Sequence, residues 1–207
     1  MSAVEPALVA AALLAALPFR PWEALRGAAL RDPWVALAVL LPVLWAVQAW
    51  LPGDFAPRLS GACLLVLMFG WPLAVLTLVP VAAAGAWLGG GGLAEAAGLA
   101  AWNGVVPATL ALAIGLATRR WLPRHLFVFI LARGFLATAL AVGAAGMLRE
   151  WLAPSAEGDA TLLLTAHWLI AWGEAFITGA LTAIFVAFRP QWLLTYSDAR
   201  YLPPPVT

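Results

Sequence analysis

Charge is what this sequence has least of. Only 10% of its 207 residues are charged, against about 25% in a soluble domain. The formal net charge is +1, and no basic stripe of the kind that binds nucleic acid is present. Hydrophobic residues make up 64% of the chain, and the mean hydropathy is +0.95. The composition therefore predicts a polytopic integral membrane protein and argues against a nucleic-acid partner.

Motifs for catalysis and for metal binding are also missing. The single cysteine, Cys63, lies inside an apolar run and cannot form an internal disulfide. No CxxC or Cys/His spacing is present, and neither is a Walker A motif, a nucleophile elbow or an HExxH motif. We therefore expect no enzyme activity, no cofactor and no nucleotide hydrolysis by this chain itself.

The apolar segments predict one all-α membrane domain of six to seven transmembrane helices. Residues 1–18 look superficially like a signal peptide, but Glu5 and Pro6 stand where its positive charges belong, so we interpret them as a first membrane segment. The run 59–88 would measure about 45 Å as one helix, which is long for one span and short for two. Gly70-Trp71-Pro72 interrupts it, which favours two spans or a re-entrant hairpin. The predicted spans are roughly 3–19, 34–51, 59–70, 72–88, 93–118, 126–150 and 161–188.

Arginines give the predicted orientation, because positively charged loops stay in the cytoplasm. Most of them lie in residues 20–33, in residues 119–124 and in the tail after residue 188. Two crossings, or a hairpin, in residues 59–88 place all three regions on the same side, whereas one crossing separates them. We therefore predict an N-terminus outside and a C-terminus in the cytoplasm.

Polar side chains deep inside the apolar runs are the candidate functional residues, since lipid cannot hydrate them. His167, Glu174 and Thr178 form a stripe on the last helix, and Asn103 falls at an overlapping depth on the 93–118 helix. One hypothesis is a polar pocket for a substrate formed by these four residues. In the other, Glu174 forms a structural ion pair with Arg133. The sequence slightly favours the pocket, and on that interpretation Glu174→Gln would leave folding nearly intact.

A group of motifs carries a family resemblance. In chain order these are GWPLAVL, AWNG, LPRHLFVFILARGF, WGEAFITGAL and FRPQWLLTYSDARYL, which together cover most of residues 59–202. The set resembles the permease, or substrate-capture, component of energy-coupling-factor transporters of the cobalt/nickel type, and is closest to uncharacterised members that lack the metal-binding histidines. The resemblance implies a seven-helix subunit of the bacterial inner membrane that works with a membrane coupling protein and two cytoplasmic ATPases.

The sequence departs from the metal-binding members of that family. Those members use the amino terminus and a histidine at position two, where this chain has Ser2, and a second histidine in a stretch that corresponds to residues 56–65 here. That stretch contains no histidine, and Arg58 stands in it. Imidazole is a natural ligand for Co²⁺ and Ni²⁺, so metal binding by the family's site is in doubt and the ligands are unknown. The alternative function is a non-transporting accessory or structural subunit of another membrane complex.

Overall fold

The structure of the protein is a computed structural model that describes residues 4–50, 59–152 and 160–201. Ser2, Arg58 and residues 153–159 of the loop before the last long helix lie outside the described residues, as do residues 202–207 and the side chains of Ala160 and Arg200.

Helices account for nearly all of the described chain, which contains no β-strand. Three short 3₁₀ turns join them, at Leu17–Phe19, Pro21–Arg26 and Pro190–Trp192. The helices are α1 (Val4–Ala16), α2 (Ala28–Trp50), α3 (Ala62–Phe69), α4 (Trp71–Leu88), α5 (Leu93–Trp121), α6 (Leu126–Leu152), α7 (Ala160–Phe188) and α8 (Asp198–Tyr201).

Five of these helices, α2 and α4 to α7, are long and apolar enough to cross a membrane. The prediction of an all-α chain with several helices able to cross a membrane is confirmed at this level, while the number of crossings and the side on which each terminus lies stay predictions. The helix α2 begins at residue 28 rather than at 34, because hydropathy marks only the part of a helix that suits hydrocarbon. Polar residues such as Arg31 and Asp32 continue the same helix beyond that part.

The helix α3 is the centre of the bundle. All eight of its side chains are buried, and it packs against α4, α5, α6 and α7. Eight residues rise about 12 Å, less than half of a hydrocarbon core of about 30 Å, so α3 cannot cross a membrane alone. It ends at Gly70, whose φ of 78° and ψ of 161° belong to a region that is essentially restricted to glycine, and α4 begins at the next residue.

Two of the long helices widen where they contact α3. Residues Leu99–Val105 of α5 and Phe129–Leu136 of α6 form π-helical turns, and both turns touch α3. Asn103 lies in the first turn and Arg133 in the second. Such turns are rare, cost hydrogen-bond geometry and occur often at functional sites.

Candidate functional site

The carboxylate of Glu174 binds the backbone at the entrance to α3. Its Oε2 accepts a hydrogen bond from the N–H of Ser60 at 2.7 Å, and its Oε1 accepts one from the N–H of Gly61 at 2.9 Å. Glu174 is only 2% exposed and projects from α7, which packs against α3. We call Ser60, Gly61, Asn103 and Glu174 the capping centre.

The physical reason for this contact is the isolation of α3 from water. The first N–H groups of any helix lack partners within the helix, and an unpaired N–H in an apolar interior costs several kcal/mol. The positive end of the helix dipole also favours a negative charge at this position. A carboxylate therefore satisfies the donors and gains charge-assisted hydrogen bonds at the same time.

Ser60 uses all of its polar groups in this centre. Besides the N–H that binds Glu174, its hydroxyl donates to the backbone carbonyl of Asn103 at 2.6 Å and accepts from the N–H of Ala62 at 3.0 Å. Its own carbonyl accepts from the indole N–H of Trp45 at 3.2 Å. One serine thus links α2, α3, α5 and α7.

Pro107 removes one possible partner of the Asn103 carbonyl that binds Ser60. In an α-helix that carbonyl would accept from the N–H four residues later, but residue 107 is proline, which has no N–H. The side chain of Asn103 adds a second polar feature, because its Nδ2 is buried and has no hydrogen-bond partner among the described residues. The capping centre therefore contains a carboxylate, and the residue whose carbonyl binds Ser60 also carries a buried donor.

The opposite end of α3 is also held from the C-terminal side of α7. The N–H of Leu194 donates to the carbonyl of Met68 at 2.8 Å, and the hydroxyl of Thr195 donates to the carbonyl of Leu67 at 2.7 Å. Thus α7 supplies an acceptor for the two N–H groups directly before α3, and the segment after α7 supplies donors for its last carbonyls.

The other predicted pocket residues take different positions. Thr178 is 2% exposed, on the same buried face of α7 as Glu174, and its carbonyl accepts from the hydroxyl of Thr182. His167 Nδ1 lies 2.8 Å from the carbonyl of Leu163, and its ring packs against Gly146 of α6. The structure brings Asn103 and Glu174 together through Ser60, whereas His167 is not part of the capping centre.

Arg133 has other partners than the one suggested by the sequence. Its Nη1 donates to the hydroxyl of Tyr201 at 3.1 Å, and its guanidinium lies over the ring of Phe129, 5.2 Å from the centroid. Both oxygens of Glu174 accept from backbone N–H groups instead. The Arg133–Glu174 ion pair stays a prediction, and the contacts described for the two side chains lead to different partners.

Sequence reasoning missed Ser60 and Gly61, although a signal was present. Ser-Gly directly before the apolar run ACLLVLMF has the composition of a helix start, and Gly61 adopts a φ of 70°. The residue that reaches this start, Glu174, is 113 positions later than Gly61, and no local pattern connects the two.

The arrangement offers groups that can bind a ligand. Each carboxylate oxygen has a further lone pair beyond the one used by a backbone N–H, and the amide of Asn103 offers a donor. Among the described residues, no group of three or more His, Cys, Asp or Glu side chains lies close enough to hold a metal ion.

Comparison with known proteins adds no family: no protein-family model, curated protein or solved structure matches this chain.

Proposed function

We propose that this chain is the permease-like membrane component of an importer of the energy-coupling-factor type, located in a bacterial inner membrane. The single observation that carries the proposal is the short buried helix α3, whose N-terminal side meets the carboxylate of Glu174 and, through Ser60, the backbone carbonyl of Asn103. Interrupted helices with polar termini inside a membrane bundle are a common way for transporters to build a binding site. The motif resemblance points to the same type of protein.

The cargo meets the protein at the capping centre in this proposal. Asn103 Nδ2 supplies a hydrogen-bond donor, and Glu174 supplies negative charge through the lone pairs that the backbone leaves open. A small polar or cationic substrate suits these groups. For Co²⁺ or Ni²⁺ the described residues bring together no group of three metal-ligating side chains, so metal binding is in doubt. The chain hydrolyses nothing itself, and the energy comes from cytoplasmic ATPases through a membrane coupling protein.

A second function has one specific observation in its favour. Both oxygens of Glu174 already accept hydrogen bonds that hold α3, so the most conspicuous polar residue in the bundle has a structural task. A non-transporting accessory subunit of another membrane complex would need Glu174 for that task alone.

Purification with partners distinguishes the two functions. The tagged chain is extracted from its native membrane in a mild detergent, and the co-purifying proteins are identified. A second membrane subunit together with two ATPases, in stoichiometric amounts, is the expected result. Subunits of a respiratory or assembly complex would contradict transport and support the accessory role. Metal analysis of the same sample tests for a transition-metal cargo.

A further inference from the structure

A pocket lined by arginines lies where α5 ends and α6 begins, away from the capping centre. Arg119, Arg124 and Arg133 all line it, together with the hydroxyl-bearing residues Thr118 and Tyr201. The pocket is partly open to its surroundings, and its cavity volume is about 20 Å³. No acidic side chain is among the described residues that line it. We refer to it as the arginine pocket.

Helix electrostatics account for only part of this charge. Arg119 lies in the last turn of α5, where the negative end of the helix dipole favours a cation. Arg124 belongs to the connection after α5, and Arg133 belongs to the π-helical turn of α6. Three arginines from three different positions thus line one concave surface, and an anion bound there would reduce the repulsion between their like charges.

The described contacts leave two of these cations ready to bind. Arg119 and Arg124 are exposed, and neither forms an ion pair with any residue that the structure describes. Arg133 is oriented by its contacts with Phe129 and Tyr201. The Tyr201 hydroxyl accepts from Arg133, so its own O–H can donate to a ligand. The arginine pocket therefore contains one cation held in place by its contacts, Arg133, two exposed cations, Arg119 and Arg124, and one neutral hydrogen-bond donor, the Tyr201 hydroxyl.

The surroundings of the pocket match the surface of a bilayer. Both α5 and α6 are long and apolar enough to cross a membrane, so the connection between them falls where hydrocarbon gives way to water. Trp121 and Phe127 are 78% and 64% exposed, and large aromatic side chains at this level favour contact with lipid headgroups and the upper acyl chains. Basic pockets between membrane helices bind anionic headgroups.

We propose that the arginine pocket binds a phosphate group, supplied by the headgroup of an anionic phospholipid. Arg119 and Arg124 contact the phosphate oxygens in the fork geometry that suits guanidinium groups, and Arg133 with Tyr201 forms the floor of the pocket. The exposed aromatic residues beside it contact the lipid body. The same chemistry would accept soluble inorganic phosphate, which is the second source that the test must distinguish.

Native mass spectrometry of the full-length chain in a neutral detergent tests this proposal. The protein is titrated with phosphatidylglycerol, with zwitterionic phosphatidylcholine and with inorganic phosphate, and the Kd of each is measured. The test variants are Arg119→Gln and Arg124→Gln. Both arginines are exposed, so their substitution should leave the fold intact. Arg120→Gln is the matched control, since Arg120 is an exposed neighbour in the same turn that does not line the pocket.

We expect phosphatidylglycerol to bind more tightly than phosphatidylcholine. Its Kd should rise roughly fivefold in each test variant, because each arginine contributes about 1 kcal/mol to binding. The Kd should be unchanged in Arg120→Gln. If inorganic phosphate shows that dependence and the lipid does not, the phosphate site stands and its source is soluble. Equal weakening by all three substitutions would mean general charge attraction and would overturn the site. Binding that no substitution weakens would overturn it as well.

Discussion

The carboxylate of Glu174 shows how backbone N–H groups can accommodate a buried acidic side chain inside a helical bundle. A charge at the centre of a bilayer costs roughly 2.5–3.5 kcal/mol or more, and an ion pair is the usual expectation. Here the compensation comes from two backbone N–H groups, at 2.7 and 2.9 Å. Hydrogen bonds to a charged group contribute about 1.5–3 kcal/mol each, so two of them are comparable with the cost of burial.

Replacing Glu174 by glutamine should lower the stability of the protein. An amide has only one acceptor oxygen, and its NH₂ group would face a backbone donor, which leaves one buried N–H unpaired. We expect the free energy of unfolding to fall by about 1–3 kcal/mol, measured by thermal or denaturant unfolding in detergent. Glu95→Gln, at an exposed position, is the control and should have little effect. An unchanged stability of Glu174→Gln would contradict the capping role and restore the expectation drawn from the sequence.

A double-mutant cycle tests whether Arg133 and Glu174 act together. Because the structure gives the two side chains different hydrogen-bond partners, Glu174→Gln and Arg133→Gln should destabilise nearly additively, with a coupling energy below about 0.5 kcal/mol. The cycle compares the unfolding free energies of the wild type, both single variants and the double variant. A coupling above about 1.5 kcal/mol would show that the two charges interact directly.

At the scale of the element, α3 depends on its ends more than on its length. A helix of eight residues is too short to be stable alone, and all eight side chains of α3 are buried, so its ends depend on partners within the protein. Partners from α7 and from the segment after it satisfy both ends. Gly70 then lets the chain turn directly into α4 with an unusual backbone conformation.

Substitution of Gly70 by alanine isolates this backbone effect. A methyl group at Gly70 would come no closer than 3.7 Å to Leu194, an ordinary contact, so the cost arises from the conformation and not from a clash. We expect a loss of about 1–3 kcal/mol in unfolding free energy, measured in detergent. The control is Gly98→Ala within α5, where φ is −61° and no atom lies within 4 Å of the added carbon. It should be neutral or slightly stabilising, and a similar loss at both positions would argue against backbone strain at Gly70.

The sequence predicts the apolar elements better than their contacts. Hydropathy indicates the long helices because burial in lipid selects for side chains, and Gly70 with Pro72 marks the break because these residues restrict the backbone. The partners of Glu174 are invisible to such reasoning, since they are backbone N–H groups that every residue except proline carries. The contact between Ser60 and the carbonyl of Asn103 is an intermediate case. Pro107 indicates that one α-helical donor to this carbonyl is missing, but the sequence does not indicate that the Ser60 hydroxyl donates to it.

At the scale of the whole molecule, the question is whether this chain binds a transition metal ion as the metal-binding proteins that it resembles do. Ser2 and the histidine-free residues 56–65 replace the family's ligands, and the oxygens of Glu174 already accept two hydrogen bonds. We therefore expect no Co²⁺ or Ni²⁺ binding tighter than a Kd of about 1 μM, or roughly −8 kcal/mol, by calorimetry at neutral pH. Mg²⁺ provides the control for weak ionic effects. A tighter stoichiometric site would contradict this, and its loss in His167→Gln or Glu174→Gln would locate the replacement ligands.

Orientation in the membrane is the remaining global property, and the arginines predict it. Residues 20–33, residues 119–124 and the tail after α7 should face the cytoplasm, because moving arginine-rich loops across a bilayer is unfavourable. Single cysteines are placed at Pro123 and Gly158, the latter outside the described residues, in a Cys63→Ala background that removes the buried native thiol. An impermeant thiol reagent added outside intact cells should label Gly158→Cys and leave Pro123→Cys unlabelled until the membrane is permeabilised. The reverse labelling pattern would place the arginine pocket on the outer face of the membrane and would contradict the predicted orientation of the chain.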